Sequence, residues 1–242
     1  MAEFEVASVK PTKSPARVNG GCHGSDARFA LNDPRSAVPI GRCVITSGAV
    51  THFMSIAYQI NVNRVTGGPD WSRSDRFDVE AKAASPIATQ EQLLQMLQKL
   101  LADRFKVAMR SETRELSGYT LVIGKNGFKL KEASDSEESN VAVNSSKGSK
   151  GTAVDGQPLS FKAISATKVA MVELASVLSR GAAGGPVVDK TGLKASYDFK
   201  LSWESGESLS RVLEDQLGLK LEAQRVPVEF ITIVSAQKPT EN

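Results

Sequence analysis

The chain has 242 residues, 40% of them hydrophobic and 24% charged, with 30 basic against 27 acidic side chains and a formal charge of +3. That is room for one large domain or two small ones of ordinary soluble composition. It excludes wholesale disorder and gives no electrostatic case for nucleic acid or an anionic membrane as partner. No run approaches the roughly 18 apolar residues of a membrane-spanning helix, so no membrane span is expected.

"FEVASVKP" at 4–11 alternates and stops at a proline, which reads as a strand. Cys22 and Cys43, the only two cysteines, flank a polar segment bearing Pro and Gly that cannot hold itself by burial. A Cys22–Cys43 bridge would tie that loop down for about 3 kcal/mol, and disulfides persist in oxidising compartments. Two unrelated buried thiols are the alternative. A metal site is the weaker reading, because His23 and His52 are the only histidines and no C-x-x-C or H-x-x-x-H spacing exists. No metal and no cofactor are expected.

"VITSGAVTHFMSIAYQI" places Val50, Phe53, Ile56, Ala57 and Ile60 at helical spacing, with Thr46 or Ser47 as cap. Gly67-Gly68-Pro69 should break that helix, and Phe77, Val79 and Ala81 alternate as a strand. "TQEQLLQMLQKLLADRF" is the strongest helix, with Thr89 and Gln92 as a capping box and Leu93, Met96, Leu97, Leu100 and Leu101 on one face. "FKVAMRSETRELSGYTLVIGK" reads as two strands joined by a polar turn. Residues 131–157, rich in Ser, Gly, Lys and acids, read as a flexible linker.

After the linker a similar order returns: a short strand and helix in "FKAISATKVAMVELASVL", a second Gly-Gly-Pro before "VVDKTGLKASYDFKLSW", then a helix and hairpin ending the chain. Leu93, Met96, Leu97 and Leu101 fall opposite Leu209, Val212, Leu213 and Leu217. The expected fold is therefore α+β: a tandem duplication of a small strand-helix-strand-helix-hairpin unit, its helices packed on mixed or antiparallel sheets. The boundaries are a first unit over 1–130, a linker over 131–157 and a second unit over 158–242.

Ser165 and Lys168 in "SATK", with Lys190 in "KTG", spell two of the three signatures of penicillin-binding serine enzymes. Such a site needs the serine at a helix N-terminus, the lysine one turn later and an S-x-N element between the motifs. No such element is present, and only 21 residues separate Lys168 from Lys190. Ser165 as an N-cap, and Asp189, Thr191 and Gly192 as a tight turn, explain the same letters. A serine hydrolase on Ser165, Lys168 and Lys190 stands as the alternative to a non-enzymatic role. Asp70, Trp71 and Arg73, after the first Gly-Gly-Pro turn, form a candidate stacking platform for a sugar or peptide, to be set against Trp71 as an ordinary core tryptophan.

On "FEVASVKP", "GGPDWSRSDRFDVEAKA" at 67–83, "MLQKLLADRFKVAMRSETRELSGYTLVIGKNGFKLK" at 96–131, "GGPVVDKTGLKASYDFKLSW" at 184–203 and "LEDQLGLKLEAQRVPVEFITI" at 213–233, the chain resembles the large soil-associated protein family of unknown function expanded in acidobacteria. The resemblance implies no catalytic residues. It does imply export, since members usually carry a signal and some resemble domains fused to BlaR-type membrane metallopeptidases. "MAEFEVASVKP" is not a secretory signal, so Met1 and Ala2 would follow a removed one. "LSRVLEDQLGLKLEAQ" is more distantly similar to the short N-terminal domain of secretins and TonB-dependent receptors, which implies protein partners in the periplasm. The expectation is a periplasmic or secreted binding protein for a protein, peptide or envelope ligand, its oligomeric state open.

Overall fold

The computed structural model describes residues 3–13, 16–27, 29, 34–125, 127–133, 140–152, 158–204 and 206–239. The fold is α+β, and the chain divides into two compact units. The first holds Met1–Ala27, Asn32–Arg114 and Glu229–Asn242, and the second is built chiefly from Glu115–Val228.

In the first unit β1 (Phe4–Pro11), β2 (Asn19–His23) and β3 (Arg42–Gly48) lead to α1 (Val50–Ala57). Then come β4 (Val65–Gly67), the single-turn α2 (Trp71–Ser74), β5 (Phe77–Ala83) and α3 (Gln90–Arg104). A four-stranded antiparallel sheet runs in the order β1-β5-β3-β2. Its inner residues alternate along β5, where Phe77, Val79, Ala81 and Ala83 are buried, as one covered sheet face requires. Helix α3 lays Leu93, Leu97, Leu100 and Leu101 into the same core, with Phe53 of α1 and with Phe105, whose ring meets Phe77 edge-on at 5.3 Å. The capping box holds as the sequence predicts: Gln92 N–H donates to Thr89 Oγ1, and Thr89 N–H to Gln92 Oε1.

The cap of α1 is neither Thr46 nor Ser47. Both belong to β3, and Ala49 is the cap, its N–H donated to His52 Nδ1 at 3.3 Å. Ser47 instead sits in a β-bulge with a left-handed backbone, φ 55°, where the register jumps between Ile45↔Val79 and Gly48↔Phe77. Its N–H is held by Asp78 Oδ1 at 2.8 Å. Gly67-Gly68-Pro69 does not end α1 either, since that helix closes at Tyr58 and Gly67 is the last residue of β4.

The second unit contains β7 (Lys131–Glu132), β8 (Asn140–Thr152), β9 (Pro158–Ala170), α4 (Met171–Val177), β10 (Val187–Asp189), β11 (Ser196–Glu204) and α5 (Leu209–Leu217). Its antiparallel sheet runs β7-β11-β9-β8. Tyr197, Phe199, Leu201 and Trp203 of β11 pack with Leu174, Leu213 and Leu217. The stretch 131–157, read as a linker, thus contributes the backbone of β7 and β8, with 134–139 and 153–157 outside the described residues.

Ser165 is not an N-cap. It lies inside β9, opposite Lys200 of β11, and α4 starts six positions later with Ala170 as cap. The two hairpins read from sequence are each one long strand: β6 (Ala108–Ile123) and β12 (Leu219–Ser235). The unit boundaries after Arg114 and after Val228 fall within these strands. In the first unit β4 pairs in parallel with β12, Val65 opposite Ile231. In the second, β10 pairs in parallel with β6, Val187 opposite Tyr119. The two Gly-Gly-Pro turns therefore occupy different places, one after β4 and one before β10.

Candidate functional site

The corner of the first unit between β4 and β5 gathers the residues singled out after the first Gly-Gly-Pro. Gly67 and Gly68 take φ of 70° and 77°, which only glycine does freely, and that bend turns the chain off the end of β4 into α2. Asp70 stands at the N-cap of α2 with its side chain exposed and making no cap bond, and Arg73 is exposed on the same turn. Trp71 points the other way. It is half-buried against the core and meets Phe77 edge-on at 6.4 Å. The three residues share one turn, but they do not converge on a common point: the indole is committed to packing, and the two charges face outward.

Lys238, Asp75 and Ser72 complete the corner. Lys238 Nζ lies 5.9 Å from the Trp71 ring centroid and 2.7 Å from Asp75 Oδ2, so one cation serves both the ring face and the carboxylate. The hydrogen bond from Lys238 holds the Asp75 carboxyl below its ordinary range. Ser72 is wholly buried beneath, and its Oγ has no hydrogen-bond partner among the described residues. Behind them, Arg76 Nη1 donates to His52 Nδ1 at 3.4 Å. Arginine carries only donors, so Nδ1 must accept from both it and Ala49 N–H, which leaves the ring neutral with its proton on Nε2. Burial, and then the Arg76 charge, push the His52 pKa down accordingly.

Asp70 and Arg73 offer a carboxylate and a guanidinium to solvent on the same turn. His52 Nδ1 is occupied as an acceptor, and Ser72 Oγ has no hydrogen-bond partner among the described residues.

The other singled-out residues lie in the second unit or at the disulfide. Ser165 is half-buried in mid-strand, and Lys168 occupies a bulge with φ 52°, its N–H bound to Asp198 Oδ1 at 2.8 Å. Lys190 is exposed after β10 and donates its N–H to Leu121 O. Ser165 thus lacks the helix N-terminus that an acyl-serine needs, and Lys168 is not one helical turn beyond it. The turn that follows is as read from sequence: Asp189 Oδ1 accepts from both Thr191 N–H and Thr191 Oγ1, and Gly192 takes φ 72°. Cys22 and Cys43 are disulfide-bonded, opposite one another in β2 and β3 and fully buried. No group of three or more His, Cys, Asp or Glu able to hold a metal occurs among the described residues.

A family model described as "Protein of unknown function (DUF3738)" matches residues 51–236. No curated protein and no solved structure matches the chain.

Proposed function

The chain belongs to the DUF3738 family, and from that premise we propose that it works outside the cytoplasm, in the periplasm or secreted, as a non-enzymatic binding protein for a protein, peptide or envelope component. The observation that carries this reading is the Cys22–Cys43 bridge, buried between paired strands of the first sheet. A bond of this kind is kept in an oxidising compartment and lost in the cytosol. No helix among the described residues is long and apolar enough to cross a membrane.

The contact region is the α2 corner, with Asp70 and Arg73 as the exposed polar pair and the half-buried Trp71 anchoring their turn to the core. Aromatic and arginine side chains dominate the energetics of recognition surfaces, and here the aromatic is held in place by Phe77 and Lys238.

Two measurements test the reading. Alkylation in intact producing cells, before any reductant, should leave Cys22 and Cys43 unlabelled; free thiols at both would remove the case for export. For binding, Arg73→p-benzoylphenylalanine should give a discrete cross-linked adduct in the envelope fraction, competed by excess unmodified protein. The same group at the exposed Glu91 should not. Equal or absent adducts at the two positions would place recognition elsewhere.

A further inference from the structure

The two sheets share more than a strand order. In each, a non-glycine residue takes the left-handed backbone at a bulge: Ser47 with φ 55° and Lys168 with φ 52°. Each donates its N–H at 2.8 Å to an aspartate on the facing strand, Asp78 and Asp198. The register jumps at the same place, between Gly48↔Phe77 and Ile45↔Val79 in one sheet and between Val169↔Tyr197 and Ala166↔Phe199 in the other. Two residues past each bulge residue stands a helix cap whose N–H is accepted by the third helical side chain, His52 in one case and Glu173 in the other. A left-handed β-bulge at a non-glycine costs about 1–2 kcal/mol. The coincidence of that strain, its aspartate and its cap in two sheets is the mark of one unit written twice.

Against that likeness, the last strands are crossed over. The order strand, helix, strand within one copy would pair β4 with β6 and β10 with β12. What is paired is β4 with the end of β12, and β10 with β6. Each half of the sequence therefore supplies the strand that the other half's short parallel strand requires. Close contact reinforces both pairings: Gly68 N–H donates to Ile233 O at 2.8 Å, and Tyr119 N–H to Pro186 O at 2.8 Å. A side chain at Gly67 would run into Ile233 and Thr232.

We propose that the chain is a fused pair of copies of one subunit that trade their last strands, so that the edges of β4 and β10 are interaction surfaces whose partner is the final strand of a sister copy. The inference is independent of what the α2 corner binds. It makes the single-copy subunit an obligate exchanged dimer, and it makes each half of this chain unable to complete its own fold.

The test starts from the 242-residue chain carrying a protease recognition sequence inserted between residues 136 and 137, cleaved after purification in the folded state. The two fragments should then co-elute at the mass of the intact 25.9 kDa chain and melt together at a temperature that rises with protein concentration. Separated in denaturant, each should stay unfolded alone and refold on mixing. Amides at 231–233 should gain protection from hydrogen exchange only when the first fragment is added. If cleavage released two folded pieces of about half the mass, or if 231–233 became protected in the second fragment alone, the exchange would be refuted. A second insertion, between residues 155 and 156, repeats the measurement in a different connection should the first perturb folding, and Gly67→Val should weaken the cleaved pair more than the intact chain.

Discussion

The carboxylate of Asp78 holds the main-chain N–H of Ser47, 31 positions earlier, at 2.8 Å, and with it the bulge that turns β3 toward α1. The same Oδ1 accepts from Thr12 Oγ1 at 2.8 Å. Asp198 Oδ1 accepts Lys168 N–H at 2.8 Å and so holds the bulge of β9. Removing an acceptor from a partly buried amide costs about 1–3 kcal/mol. Asp78→Ala, which removes two bonds, should therefore lower unfolding stability toward the upper end of that range and Asp198→Ala by an amount within it, while both Asn variants, which keep an acceptor, lose less. Urea unfolding of the four proteins measures this. A loss below 0.5 kcal/mol for Asp78→Ala would show that the bulge holds without it.

These bulges explain where the sequence was legible and where it was not. Alternation in "FEVASVKP" and the leucine spacing of α3 report burial directly, and β1 and α3 lie where those periods place them. The bulge conformation leaves no such trace, because a left-handed site is recognised in sequence by glycine or asparagine, and here it is held by an aspartate about 30 positions away. β6 and β12 were read as hairpins for a related reason. Their midpoints, around Arg110–Glu115 and Glu222–Arg225, are mostly exposed, so they lack the apolar alternation that distinguishes a strand from a turn. Trp71 and its polar neighbours were legible as a group, whereas Lys238, 167 positions further on, reaches Trp71 only through the fold.

The ends of α3 and α5 offer a second test. α5 stops at Gly218 with φ 70°, the left-handed cap that glycine makes without strain, while α3 is followed by Lys106 with φ 48°. Aligning these two residues sets Leu101 with Leu213 and Phe105 with Leu217, one helical turn away from the pairing that leucine spacing alone suggests. Lys106 is exposed, so Lys106→Gly should stabilise the protein by about 1 kcal/mol. Gly218→Ala should cost more than that, since its new methyl would also meet Gly127 O and Phe128. Thermal melts of both variants should move in opposite directions.

The disulfide spans 21 positions between two directly paired strands. In the chain-entropy account such a loop closure is worth about 3 kcal/mol. Cys22→Ala with Cys43→Ala should lose about that much in urea, and the wild type should lose the same in excess reductant. A reductant effect that persists in the double variant would mean that the loss does not arise from this bond.

His52 gives the molecule a pH dependence whose sign follows from its contacts. The ring accepts Ala49 N–H and faces the Arg76 guanidinium, so the folded state favours the neutral form and the pKa lies below the ordinary 6.5. The unfolded chain then binds the proton more readily than the folded one. This contribution is fully present above about pH 6.5 and is lost as pH falls from there through the lowered folded value. His52→Gln keeps an acceptor at the third helical position, where glutamine closes a capping box, and removes the titration. Its urea midpoint at pH 7.5 should stay close to that of the wild type, and the difference between the two should shift in favour of the variant as pH falls from 7 to 5. If the two midpoints fell in parallel over that interval, the acceptor role of Nδ1 would be refuted, and the acid sensitivity would belong to the carboxylates instead.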